Sequence, residues 1–92
     1  MSIWSTFCGS VTTHPSKRIS IKTLLKSVYD DEVFVTVDTT TTPSGYYCHR
    51  VEGSICLDGQ GAWDVMSQFF KQIKTADPSA VIDITVSIRC YE

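Results

Sequence analysis

The sequence predicts an α+β domain in two layers, a four-stranded antiparallel sheet with two helices on one face. Three observations carry that prediction. The last stretch, Val81-Ile82-Asp83-Ile84-Thr85-Val86-Ser87-Ile88-Arg89-Cys90-Tyr91, alternates apolar and polar residues at period two, as a strand with one covered face does. Two earlier segments, around Leu24 and around Phe69, repeat their apolar residues at helical spacing instead. Three further alternating segments surround these, separated by short clusters of proline, glycine or acidic residues. In the last strand Ile82, Ile84, Val86, Ile88 and Cys90 face the core, so the layer that covers them must come from earlier in the chain.

The first strand is expected from Ile3 to His14, with Ile3, Ser5, Phe7, Gly9 and Val11 on one side and Trp4, Thr6, Cys8, Ser10 and Thr12 on the other. Gly9 marks a bulge or the close approach of a helix. His14-Pro15-Ser16 ends the strand, because proline has no N–H for the ladder. Ser20 is placed to cap the first helix, with Ile19 and Leu24 forming a hydrophobic staple. Ile21, Leu24, Leu25 and Val28 make its apolar stripe, which ends near Tyr29. After the acidic Asp30-Asp31-Glu32, the residues Val33, Val35 and Val37 alternate with Phe34, Thr36 and Asp38 in a second strand that the threonines 39–42 extend.

Pro43-Ser44-Gly45 supplies a turn, and Tyr46 to Leu57 returns as the third strand with Val51, Ile55 and Leu57 inward. Asp58-Gly59-Gln60-Gly61 breaks that strand. Ala62, Met66, Phe69, Phe70 and Ile73 then mark a second helix that runs to the neighbourhood of Lys74. The order strand, helix, strand, strand, helix, strand is the split arrangement of ferredoxin-like folds. Right-handed crossovers put both helices on one sheet face and order the strands fourth, first, third, second.

The whole chain, 1–92, reads as a single domain: 42% of its residues are hydrophobic and 20% charged, the balance of a globular chain. A domain this small buries only about two-thirds of its unfolded surface, which leaves room for a homodimer as a supplement. A formal net charge of −2 carries neither the basic footprint of a nucleic-acid binder nor the acidic excess of a DNA mimic. The first residues lack a basic stretch followed by an apolar run, and no segment has the length of a membrane span, so a cytoplasmic protein is expected. Cys8, Cys48, Cys56 and Cys90 are irregularly spaced, each in an expected strand, and read as reduced structural thiols.

Candidate chemistry is sparse. His14 flanks a proline and His49 lies near the hairpin tip, and neither has the carboxylate spacing of a metal or acid–base site. The glycines 59 and 61 precede a helix but lack the P-loop lysine and the dinucleotide fingerprint. No catalytic, cofactor or metal residue is therefore assigned. An acylphosphatase-like hydrolase is compatible with the architecture, but fold alone does not warrant an activity. The uncovered sheet face is expected to carry Trp4, Thr6, Cys8, Ser10, Phe34, Thr36, Arg50, Glu52, Ser54, Thr85, Ser87, Arg89 and Tyr91. RNA-binding modules of this architecture stack bases on aromatics of the two central strands, a platform that Cys8-Gly9-Ser10 and Arg50-Val51-Glu52 do not provide. Trp4, Tyr46 and Tyr91 are expected to lie too far to the side to replace it, so a nucleic-acid or nucleotide binder ranks second.

Ile3-Trp4-Ser5, Gly9, Val11, His14, Asp83-Ile84 and Ile88-Arg89 resemble the corresponding residues of short uncharacterised bacteriophage and prophage proteins. The resemblance covers the first and last strands and agrees with the whole element order. It implies an accessory factor, acting in the host cytoplasm, that binds and inhibits a host protein, with antiviral defence components such as CRISPR effectors among the targets. It supplies no functional residues. The residues themselves point to the long hairpin and the second strand at the sheet edge, where Tyr46, Tyr47 and Arg50 are the expected partner-binding side chains.

Overall fold

In the computed structural model the elements are β1 (Ser2–Thr13), α1 (Ile21–Val28), β2 (Val33–Thr41), β3 (Tyr47–Ile55), α2 (Gly59–Ala76) and β4 (Val81–Tyr91). Described are residues 2–17, 19–31 and 33–91, with the backbone alone at 2 and 88–91. The expected facing of Ile88, Arg89, Cys90 and Tyr91 thus lies outside the described side chains. The sheet order is β2-β3-β1-β4, and every neighbouring pair is antiparallel. This is the expected ferredoxin-like order, with β1 and β2 parallel across β3 and both crossover helices packed on one core.

Both helices start where their capping chemistry places them. Ser20 Oγ accepts from the Thr23 amide at 3.3 Å, and Ile19 and Leu24, the two residues of the expected staple, are both partly buried against the core. Asp58 Oδ1 accepts from the Gly61 amide at 2.7 Å and caps α2. The stretch 58–61, expected as a break, is therefore the cap and first turn of the helix. Glycine is tolerated there because the first amides of a helix have no intrahelical acceptor to lose. Ala62, Met66, Phe69 and Ile73 recur at spacings of three and four and are all buried.

The core lies between those stripes and the two central strands. Phe7 and Val11 of β1 and Val51 and Ile55 of β3 are fully buried, together with Ile21 and Leu25 of α1. At about 1.5–3 kcal/mol for each large apolar side chain, this set supplies most of the driving force. The inward residues of β2 and β4, including Ile84 and Val86, are only half-buried, because an edge strand has a neighbour on one side. The centre of the core is thus β1 with β3, not the last strand. Leu57, expected inward on β3, lies just past its end; Cys56 also falls outside the strand.

Gly9 is neither at a bulge nor under a helix. The β1–β4 register runs one to one from Cys8↔Thr85 through Gly9↔Ile84 to Ser10↔Asp83. Its φ is +152°, and a Cβ there would come 1.9 Å from the Asp83 carbonyl oxygen. The close approach is that of the β4 backbone. At the other end, Thr42 to Tyr46 closes the β2–β3 hairpin, with Gly45 N–H donating to the Thr42 carbonyl at 2.9 Å and Gly45 at φ +91°. Proline at the second turn position and glycine at the fourth match that geometry.

Buried polar groups tie the layers together. Ser5 Oγ donates to the Leu57 carbonyl at 3.0 Å, holding the β3–α2 connection onto β1. Asp77, buried at the end of α2, accepts from the His14 amide at 2.8 Å and from the Ser79 amide and hydroxyl. Those bonds, first the Ser79 hydroxyl and then the His14 amide, hold its carboxyl below the ordinary aspartate range. No helix among the described residues is long and apolar enough to cross a membrane.

Candidate functional site

Strand alternation and register divide the expected trio. Tyr47 shares the inward parity of His49 and Val51, and its half-buried ring lies 6.4 Å from that of His49. Arg50 has the opposite parity, is exposed on the uncovered face, and pairs with Glu52 at 3.3 Å. Tyr46 precedes the strand, and its ring meets His14 edge-on at 5.4 Å. Tyr46, Tyr47 and Arg50 are therefore not one surface.

At the hairpin end, His49 is buried and bridges three strands. Its Nε2 lies 3.1 Å from Thr13 Oγ1 of β1, and its Nδ1 lies 2.8 Å from Thr39 Oγ1 of β2. Thr13 is fully buried. In the neutral ring one nitrogen donates to its threonine hydroxyl and the other accepts from its own, so both contacts are satisfied in either tautomer. Protonating the ring would turn the accepting nitrogen into a second donor and cost one threonine hydroxyl its acceptor. Burial lowers the His49 pKa, keeping the ring neutral in the fold. Lys17, Ile19, Ser20, Thr39, Tyr47 and His49 border a depression of about 450 Å³ beside the start of α1. Both imidazole nitrogens are occupied, so His49 offers this depression no lone pair.

The uncovered face presents a different arrangement at the opposite end of the sheet. Phe34 of β2 is 67% exposed, and its ring stacks on that of Trp4 with centroids 5.7 Å apart and planes 26° apart. Trp4 and Phe34 are on strands separated by β3, whose small Ser54 stands across from Phe34 and leaves the rings room to meet. Beside them runs a shallow groove of about 480 Å³, lined by Thr6, Cys8, Thr36, Glu52, Gly53 and Ser54. Trp4, half-buried near the end of β1, and the exposed Phe34 thus form an aromatic pair at this end of the sheet. Phe34's partner Ser54 is seven positions along β3 from Tyr47, roughly 23 Å along the strand.

Charge on this face is acidic among the described side chains. Asp38, Glu52 and Asp83 share its parity with the single cation Arg50, itself paired with Glu52. Cys8 and Cys48 are thiols on the same face, and Cys8 Sγ lies 3.9 Å from Thr85 Oγ1. No group of three or more His, Cys, Asp or Glu residues among the described ones is arranged to hold a metal ion.

No protein-family model matches the sequence, and no curated protein sequence matches it. Among solved structures, the chain is similar to a de novo designed protein, Foldit4, over 100% of both chains, at a TM-score of 0.58 and 13% sequence identity. That similarity concerns the fold alone.

Proposed function

We propose that this chain is a non-catalytic binding protein whose partner is another protein, docked on the uncovered sheet face around Trp4 and Phe34. The observation that carries the reading is the exposure of Phe34, stacked on a half-buried Trp4. A phenylalanine two-thirds exposed forgoes much of the about 1.5–3 kcal/mol that full burial of its side chain gives, and aromatic anchors are frequent centres of protein interfaces. The resemblance of the terminal strands to short bacteriophage proteins supports a host protein as the partner, inhibited by occlusion in the host cytoplasm.

The same platform has the shape to stack a nucleobase, but the groove beside it is lined by Glu52 and by no cation among the described residues to neutralise the phosphates that follow. Protein is the better fit. Replacing Phe34 with a photo-crosslinking phenylalanine derivative in the bacterial host tests the reading. A discrete cross-linked protein is expected from position 34, and not from Trp63, which is exposed on α2. A product at Trp63 alone would move the interface to the helical layer and overturn the assignment.

A further inference from the structure

We infer that the free edge of β2 accepts an extended acidic segment of the partner as a fifth strand, clamped by Lys22 and Lys26 of α1. The inference rests on the protein-binding reading and assigns it a recognition chemistry. Sheet order leaves β2 with β3 on one side and no strand among the described residues on the other. Its ladder to β3 runs without interruption from Val33↔Ile55 to Thr41↔Tyr47. The strand contains no proline, no bulge and no inward-pointing charge, the devices that ordinarily blunt an edge.

A groove of about 410 Å³ follows this edge, lined by Val33, Phe34, Val35, Thr36, Lys22 and Lys26. Four consecutive strand residues alternate between the two sheet faces, so a groove that touches all four runs along the edge itself. Lys22 and Lys26 are one helical turn apart on α1, exposed, and have no ion pair among the described residues. Asp30 and Asp31 do not line the groove.

An added strand inherits the alternation of the sheet. Its side chains on the helix side meet the two lysines, and those on the other side lie beside Phe34. The segment that fits is therefore acidic and apolar at alternate positions. A second copy of this chain fits poorly. Antiparallel pairing of two β2 edges about a two-fold axis keeps the helices on one face and brings lysines toward lysines.

The test uses the intact protein and two peptides of roughly seven residues, the length of an ordinary strand. One alternates valine with glutamate and the other valine with lysine. Titration followed by amide NMR is expected to shift β2 and α1 resonances with the glutamate peptide only. N-methylating alternate amides along one edge of that peptide should abolish binding, and along the other edge leave it. Lys22→Glu with Lys26→Glu should weaken binding roughly tenfold or more, as loss of two partly exposed ion pairs implies.

Equal binding of both peptides, insensitivity to N-methylation, no binding of either, or concentration-dependent dimerisation through β2 would overturn the inference. If the cross-link from Phe34 persists in the Lys22→Glu, Lys26→Glu protein, the sheet-face reading stands while the strand clamp falls. Loss of that cross-link in the parent sinks the sheet-face reading instead.

Discussion

Replacing Gly9 with alanine should unfasten β4 from β1, and the size of the effect follows from two features of that residue. At φ +152° an L side chain is strained by roughly 1–3 kcal/mol before any contact is counted. The added methyl would then sit 1.9 Å from the Asp83 oxygen and 2.7 Å from Ile84 Cα, both backbone atoms, where side-chain carbons do not come within 3.0 Å. The β4 backbone must retreat by about 1 Å in the middle of its ladder, a packing conflict of a further 1–3 kcal/mol. The sum is about 2–6 kcal/mol, a large part of the 5–15 kcal/mol that stabilises an ordinary domain.

Gly45→Ala is the control. It shares a positive φ, +91°, but a Cβ there has nothing within 4 Å, so only about 1–2 kcal/mol is expected. Urea melts followed by circular dichroism compare the two directly. Equal losses would refute the claim that β4's backbone packs against Gly9.

Other expectations follow from burial and titration. Ile55→Ala, in the fully buried centre, should cost about 2–5 kcal/mol, Ile84→Ala on the half-buried edge less, and Thr85→Ala least, an order that denaturant melts will read. Because the folded pKa of His49 is below its unfolded value of about 6.5, its contribution is fully present above that pH and is lost as pH falls toward the folded pKa. Melts across this window should show a slope that is absent in His49→Gln. Asp77 also has a lowered folded pKa, so its contribution is present above the unfolded value of about 3.9 and is lost as pH falls through the folded one; Asp77→Asn should flatten stability in that acid range.

The fold was legible because the sheet is covered on one side only. Val33, Val35 and Val37, or Ile82, Ile84 and Val86, alternate against water-facing residues and reveal their strands without knowledge of any neighbour. The stripes Ile21-Leu25 and Ala62-Met66-Phe69-Ile73 reveal their helices in the same way. Glycine at 59 and 61 concealed the first turn of α2, since average helix propensity says nothing about a turn that Asp58 caps.

The site was less legible, for a geometric reason. Tyr46, Tyr47 and Arg50 are close in sequence, but alternation sends Tyr47 and Arg50 to opposite faces. The parity of Phe7, Val11 and Val51 in the sequence itself places Thr13 and His49 on the inner face. Trp4 and Phe34 are brought together by strand order and register combined, neither of which is written in any local pattern.

The central claim, that a partner protein docks on Trp4 and Phe34, is tested most directly by measuring affinity for the cross-linked partner once it is purified. Phe34→Ala and Trp4→Ala are expected to weaken binding by about 2 kcal/mol or more each, at least roughly thirtyfold, while Tyr47→Ala at the far end stays within error of the parent. Unchanged affinity in both aromatic variants, with loss in Tyr47→Ala, would contradict the assignment and return the interface to the hairpin.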